Sequence, residues 1–319
     1  EVFGKKHPDT AESYNNIGEV YEEKGDYDKA LEYSNNALAI RIGIFGGKHP
    51  DTADSYNSIG MVYWKKGEYE KALEYHNKAL AIRIAILGEK HPDTATSYNN
   101  IGAVYHYKGD YDKALEYENN ALAILSEILG EKHTSTAASY NNIGGVNLEK
   151  GDYDKALEYF NKDLAINLEI LGEKHPATAT SYNNMGSVYC NKGDYDKALE
   201  YLNKALVVQI EVLGEKHPLT ATSYNNIGRI FFKKDNHDKA LIYYNKSVAI
   251  KIELLGEKHP ATAITYNNIG KTYKGKVDLG KALEYYNKAL EIYKEIKNEK
   301  GISEVMKNIE EIEKCPKAQ

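Results

Sequence analysis

The chain has 319 residues, is 42% hydrophobic and 28% charged, and carries a formal net charge of −6. That balance suits an ordinary soluble domain and lacks the basic stripe that binding a phosphate backbone requires, which argues against nucleic acid. No apolar run approaches the roughly 20 residues that span a bilayer, which argues against a membrane span. The two cysteines, Cys190 and Cys315, form neither a metal spacing nor a disulfide framework, so a reducing, cytoplasmic setting is expected.

In chain order, the opening EVFGKKHPDT matches AILGEKHPDT at 85–94, so residues 1–6 read as the end of a preceding repeat or linker. His7, His49, His91, His133, His175, His217 and His259 then recur every 42 residues. Self-similarity at this period predicts a solenoid, here of seven repeats over 1–300 (7–48, 49–90, 91–132, 133–174, 175–216, 217–258 and 259–300). Within 91–132, Tyr98, Ile101, Gly102 and Tyr105 stand at helical spacing and predict a first helix from about Asp93 to Lys108. Asp93 or Thr94 is the expected cap behind Pro92. Gly109 ends this helix and Asp110 is placed to cap a second, Tyr111 to Leu129, whose apolar side holds Ala114, Leu115, Tyr117, Ala121, Leu122 and Ile128. Gly130 stops it. Neither helix can bury its stripe alone, so neighbouring hairpins must stack.

The pattern changes toward the C-terminus. The GDY turn becomes DNH at 235–237 and VDL at 277–279, which predicts the least stable end of the array there. Residues 301–319 read as a capping helix and tail, with Ile302, Val305, Met306, Ile309 and Ile312 along one face. Aromatic usage is lopsided, with 28 Tyr against 5 Phe and 1 Trp. Tyr suits helix interfaces that are buried on one side and wet on the other.

Tyr98, Ile101, Gly102, Tyr105, Ala114, Ala121 and Leu122 resemble the packing signature of tetratricopeptide repeats. The longer period and the segment LGEKHPDTATSYNNIG are similar to the 42-residue version found in kinesin light chains. The resemblance covers residues 1 to about 300. It departs from the general pattern by using Tyr where Trp or Phe is usual and by lacking the Pro that commonly ends the second helix. It also lacks the heptad segment through which kinesin light chains pair with heavy chains, so a motor role is not supported. The resemblance implies an all-α, right-handed superhelical solenoid of antiparallel helix hairpins that acts as a protein–protein interaction scaffold for an extended peptide or partner helix.

The same resemblance puts Asn16, Ser58, Asn100, Asn142, Asn184, Asn226 and Asn268 on a concave inner surface, with Asn15, Asn57, Asn99, Asn141, Asn183, Asn225 and Asn267 beside them. In related repeats such a ladder holds a peptide by its main chain, and one carboxamide offers both a donor and an acceptor. Two other readings stay open: local bonding to the preceding turn or the adjacent hairpin, and inheritance by duplication. First-helix positions that vary between repeats run from Glu12, Glu19, Glu22 and Glu23, through Asp54, Met61, Trp64, Lys65, Thr96, Ala103, His106 and Tyr107. They continue with Gly145, Leu148, Glu149, Ser187, Cys190 and Asn191 to Arg229, Phe232, Lys233, Lys271 and Lys274. Read as a groove, this predicts a ligand whose basic end meets Glu12, Glu19 and Glu23 and whose acidic end meets Arg229, Lys233 and Lys271. An apolar residue would then lie near Trp64 and Tyr107. The alternative is drift of a solvated surface.

Other chemistry is not indicated. Helices pack about 8–10 Å apart, and zinc ligands lie about 2 Å from the metal, so histidines of different repeats cannot share an ion. Gly43 to Lys48 lacks the glycine spacing and the Ser/Thr of a phosphate loop, and the sequon at Asn245 falls on a predicted helix. Asp26 and Asp28 sit at a helix start, where the dipole explains them. No nucleophile–base constellation is present, so no enzyme, metal or cofactor is expected. The second functional reading is an architectural array that self-associates end to end. Single-stranded RNA binding is a third, disfavoured by the acidic charge.

Overall fold

The computed structural model describes residues 7–314, so the readings of residues 1–6 and of Cys315 lie outside the described residues. Among the described residues there are fifteen α-helices and no strand. The first helices of the hairpins are α1 (Pro8–Glu23), α3 (Pro50–Lys66), α5 (Pro92–Lys108), α7 (Thr134–Lys150), α9 (Pro176–Lys192), α11 (Pro218–Lys233) and α13 (Pro260–Gly275). The second helices are α2 (Tyr27–Phe45), α4 (Tyr69–Leu87), α6 (Tyr111–Leu129), α8 (Tyr153–Ile170), α10 (Tyr195–Leu213), α12 (His237–Leu255) and α14 (Leu279–Glu295), and α15 (Glu299–Glu313) follows. The chain forms two compact units, Glu1–Ile166 and Asn167–Gln319, with the boundary inside α8. Within each unit every helix packs on the next in sequence, as stacked hairpins require. No helix among the described residues is long and apolar enough to cross a membrane.

The repeated histidines are helix caps. In each first helix the His Nδ1 accepts the backbone N–H two residues on; for His91 and Asp93 the distance is 3.1 Å. The helix therefore starts at Pro92, one residue before the expected Asp93, and the cap is His91 rather than Asp93 or Thr94. Proline tolerates this first position because its missing N–H would have no intrahelical partner. Thr94 is turned backward instead, donating to the Gly88 carbonyl at 2.9 Å. His133 caps α7 in the same way although Thr134 replaces the proline. Asp110 caps α6 as expected, accepting from the Lys113 N–H.

Each hairpin is closed by packed rings, mostly tyrosines that are half-buried or buried, with Phe231 in the stacked place of the sixth. Tyr105 stacks on Tyr117 at 5.5 Å, Tyr98 leans on the same ring at 6.0 Å, and the Lys113 ammonium lies 5.1 Å over Tyr105. This geometry accounts for the Tyr excess, because the rings pack while their edges stay wet. The fourth hairpin breaks the pattern: Asn147 replaces the stacked ring and is buried, its amide bonded to the Ile143 carbonyl at 2.8 Å. Exposed ion pairs tie successive repeats, including Lys66–Asp28 and Lys150–Asp112 in the first unit and Lys234–Asp196 in the second. Such surface pairs contribute at most about 1 kcal/mol each.

The glycine of each YNNIG motif meets the second helix of its own hairpin at very short range. A Cβ on Gly144 would lie 2.7 Å from the Phe160 ring, and one on Gly270 would lie 2.6 Å from Tyr286. The residue facing the glycine stands 16 positions later in every repeat and is buried in all of them. It is Ser34, His76, Glu118 and Phe160 in the first unit, and Leu202, Tyr244 and Tyr286 in the second.

Two hairpin turns in the second unit carry strain, and Lys297 ahead of the last helix shares their left-handed backbone with φ of 55°. Asp235 and Val277 hold φ of 60° where other hairpin turns use glycine, as at Gly109 and Gly193 with φ of 80° and 82°. A β-branched residue in this region is disfavoured by its Cβ. Against this, the largest apolar cluster of the second unit joins Tyr244, Tyr266, Tyr286, Tyr293, Val305 and Ile312 around the same turns.

The final helix begins at Glu299, two residues earlier than expected, with Asn298 as its cap. It stands where a further first helix would. Asn308 donates to Asn267 Oδ1 at 3.2 Å, as Asn100 donates to Asn57 Oδ1 at 2.7 Å. Val305 and Ile312 are buried, and Ile302 and Ile309 are half-buried. Met306, expected on that face, is 45% exposed. Glu310 occupies the place of the motif glycine, two residues after the asparagine, so no second helix can approach α15 as closely as in the other hairpins.

Three substitutions test these arguments by urea denaturation. Gly144→Ala is expected to lose about 1–3 kcal/mol through overpacking against Phe160. Gly18→Ala meets the smaller Ser34 hydroxyl at 3.0 Å and the Ala30 carbonyl at 3.3 Å and is expected to lose less than Gly144→Ala, since helix propensity returns up to about 1 kcal/mol. Val277 is 67% exposed, so Val277→Gly loses little packing and is expected to gain about 1 kcal/mol by relieving the turn.

Candidate functional site

Most of the paired asparagines are bonded to neighbouring helices. In the first unit, Asn57 Oδ1 accepts from Asn100 of the next repeat at 2.7 Å and lies 3.0 Å from His76 Nδ1. Because that oxygen can only accept, His76 is protonated on Nδ1, and its buried Nε2 receives no hydrogen bond. Asn142 donates to Glu118 Oε2 at 3.2 Å, and Asn141 donates to Asp163 Oδ2 at 3.2 Å. In the second unit, Asn183 donates to the Ser223 hydroxyl at 2.7 Å, which in turn donates to Gln209 Oε1 at 2.6 Å. Asn268 donates to Asn225 at 3.1 Å, and Asn267 donates to Glu304 of α15 at 2.9 Å. A helix tolerates these amides because each links two elements that must stay in register.

Some amides are left over. Among the described residues no protein group hydrogen-bonds the side chain of Asn184 or of Asn226, although both are half-buried. Asn16 is exposed. The Oδ1 atoms of Asn15 and Asn99 are buried and receive no hydrogen bond.

The varied first-helix positions also meet one another. Trp64 and Tyr107, expected to share a pocket, do come together edge to face, with centroids 5.0 Å apart at 77°. Tyr107 is 61% exposed, whereas the indole N–H of Trp64 is buried without an acceptor. Glu22 pairs with Lys65 of the next repeat. At the expected basic end, Lys271 pairs with Glu304 at 2.7 Å and Lys274 pairs with Glu311, so α15 matches both charges. Arg229 and Lys233 differ: the buried Nε of Arg229 has no acceptor, and Lys233 is exposed one turn further along α11.

Sequence reading missed a second class of residues, the buried polar side chains of the second helices. Arg83 spans to the next repeat, reaching the Asp93 carbonyl at 3.0 Å and Ser97 at 2.9 Å, and pairs with Asp54 at 2.7 Å. Lys251 repeats the span to the Ala261 carbonyl and Thr265. Burial lowers the Lys251 ammonium to about 8. Burial, helped by Arg83, lowers His76 to about 4. Burial raises the Glu118 carboxyl to about 8 against the opposing effect of the Asn142 bond. The available signal was a residue that changes identity at each of two fixed second-helix positions, that of His76 and Glu118 and that of Arg83 and Lys251, while its surroundings repeat.

The His76 shift fixes a pH dependence. Its folded value lies below the ordinary 6.5, so the contribution of the neutral ring is complete above about pH 6.5 and is lost as pH falls through 4. Stability measured by denaturation is expected to drop by about 3 kcal/mol over that window. His76→Phe, which installs the ring found at the same place in the fourth hairpin, is expected to remove this component.

Comparison with known proteins agrees with the geometry. The tetratricopeptide repeat profile matches residues 9–85, 51–127, 93–169, 135–206, 177–253 and 231–295. No curated protein matches the chain. Among solved structures, the chain resembles the nearly identical TPR-like repeats of a kinesin light chain from Podosopora anserina, at 23% identity and TM-score 0.55. That match covers 65% of this chain and 98% of that one. The apo form of RapI matches at 19% identity and TM-score 0.67, covering 90% of this chain and 99% of that one. The Rap conjugation gene regulator of plasmid pLS20, solved with the Phr* peptide, matches at 17% identity and TM-score 0.66, covering 89% and 74%. With helix hairpins, motif spacing and repeat profile in agreement along most of its length, the chain belongs to the tetratricopeptide repeat family.

Proposed function

We propose that this chain is a protein–protein interaction module that holds an extended peptide on the first helices of its second unit. The observation that carries the proposal is the pair of half-buried carboxamides, Asn184 on α9 and Asn226 on α11, that find no protein partner while most equivalent amides are bonded. Neither amide has a buried atom without a partner, so both are within reach of water, and a peptide main chain offers the N–H and C=O that would take the place of that water. Arg229 and Lys233 continue the face of α11 beyond Asn226 and suit a carboxylate on the ligand. The Trp64–Tyr107 corner is a separate contact point in the first unit, suited to an apolar side chain. The similar fold of a Rap regulator solved with a peptide supports this class of ligand. The proposal requires no cofactor and no catalytic step.

Peptides selected by display on the intact protein, followed by calorimetry, test the reading. Asn184→Ala combined with Asn226→Ala is expected to weaken every selected peptide by tenfold or more, with little dependence on salt or peptide sequence. Arg229→Glu with Lys233→Glu is expected instead to change which peptides are selected, with strong salt dependence. Unchanged affinity in the folded double alanine variant would sink the reading. End-to-end self-association comes second because Glu310 opposes close stacking on α15; it predicts a scattering mass that grows with concentration.

A further inference from the structure

Glu118 lies in the middle of α6 and is 1% exposed. Its side chain reaches between two first helices. Toward α7, its Oε2 accepts from Asn142 Nδ2 at 3.2 Å. Toward α5, its Oε1 lies 3.0 Å from the position a Cβ would take on Gly102. Asn99 stands one helical turn before Gly102, on the same face.

The neighbouring hairpin shows what this register does. There His76 presses on Gly60, with a Cβ-to-ring distance of 2.8 Å, and its Nδ1 lies 3.0 Å from Asn57, one turn before that glycine. Asn57 is to His76 what Asn99 is to Glu118, 19 positions apart in both cases. In the first pair a ring N–H meets an amide oxygen. In the second pair the buried Glu118 carboxyl takes the place of that ring, and the buried Asn99 Oδ1 receives no hydrogen bond from any amide or hydroxyl. By the register of the first pair, Glu118 is the side chain placed to reach that oxygen, and a carboxyl can donate to it only when protonated.

We propose that Glu118 is held as a neutral carboxylic acid that donates its O–H to Asn99 Oδ1 while accepting from Asn142, so that one proton ties α5, α6 and α7 together. The device is a pH-sensitive latch between the third and fourth hairpins. No titratable or charged side chain on α5 or α7 contributes to the environment of the carboxyl; burial and the Asn142 amide are its determinants. Burial raises it from the ordinary 4.5 to about 8, in the direction the geometry requires. A folded value above the unfolded one means that the proton's contribution is complete below about pH 4.5. It is lost as pH rises, and nothing remains of it above about pH 8. The latch therefore opens on mild alkalinisation. It is independent of peptide binding on the second unit.

Denaturation of the full chain, without peptide, tests the latch. In Glu118→Gln the carboxamide N–H replaces the O–H toward Asn99, and its oxygen still accepts from Asn142, so both bonds persist at every pH. The ratio of unfolding constants, wild type over Glu118→Gln, is expected to rise about tenfold per pH unit between about 5 and 8, then level off. Parallel profiles for the two proteins would overturn the proposal. A second measurement needs no variant: the ¹³C resonance of the Glu118 carboxyl in wild-type protein should titrate near pH 8. Titration near the ordinary carboxylate value would mean that the Asn99 amide is turned over to donate to a buried anion, and would equally overturn it.

Discussion

Every hairpin depends on one close contact, the approach of its second helix to the glycine of its first. With ideal-Cβ distances of 2.6–3.0 Å to the facing side chain, the two helices sit at a separation that only glycine allows. That separation buries the facing position completely, whatever residue occupies it. The first unit fills it with Ser34, His76, Glu118 and Phe160, and the second with Leu202, Tyr244 and Tyr286. The two units thus share a backbone plan but differ in what lies at its tightest point: three polar groups and one ring in the first, only apolar and aromatic groups in the second. Buried ionisable groups cost stability unless they are paired or neutral, and both His76 and Glu118 are shifted toward their neutral forms.

The asparagine pairs follow from the same geometry. A carboxamide beside the glycine is half-buried, so its hydrogen bonds must be found nearby. Its partner depends on the residue facing the glycine and on the next first helix. His76 and Asn100 converge on Asn57, Glu118 takes Asn142, and Ser223 takes Asn183. Where the facing residue is Leu202 or Tyr244, the second amide of the motif, Asn184 or Asn226, is left without a protein partner. A ladder uniform in sequence is therefore not uniform in chemistry. Part of it fastens repeats to one another, and part keeps free hydrogen-bonding capacity.

Variation between repeats has the same double character. Several positions that differ along the chain are matched to a neighbour: Glu22 to Lys65, Trp64 to Tyr107, Lys271 and Lys274 to carboxylates of α15. In an array of near-identical hairpins, such pairs favour one neighbour over another, since a hairpin docked out of order would lose them.

The helices and their order are legible in the amino-acid pattern alone. The 42-residue period, the glycine stops, the aspartate cap at Asp110 and the apolar spacing of Tyr98, Ile101 and Gly102 are local signals, and local signals fix local structure. The tetratricopeptide family was legible for the same reason. Histidine was less legible as a cap, because His91 acts through a ring nitrogen in an extended residue ahead of a proline. Which side chains are bonded and which are free depends instead on contacts between helices distant in sequence. The partner of Asn142 is 24 residues away and that of Asn100 is 43 residues away, on helices whose facing surfaces no periodicity reveals. Burial of Glu118 was equally hidden: on its own helix it reads as one more polar position, and only the approach of Gly102 places it out of water.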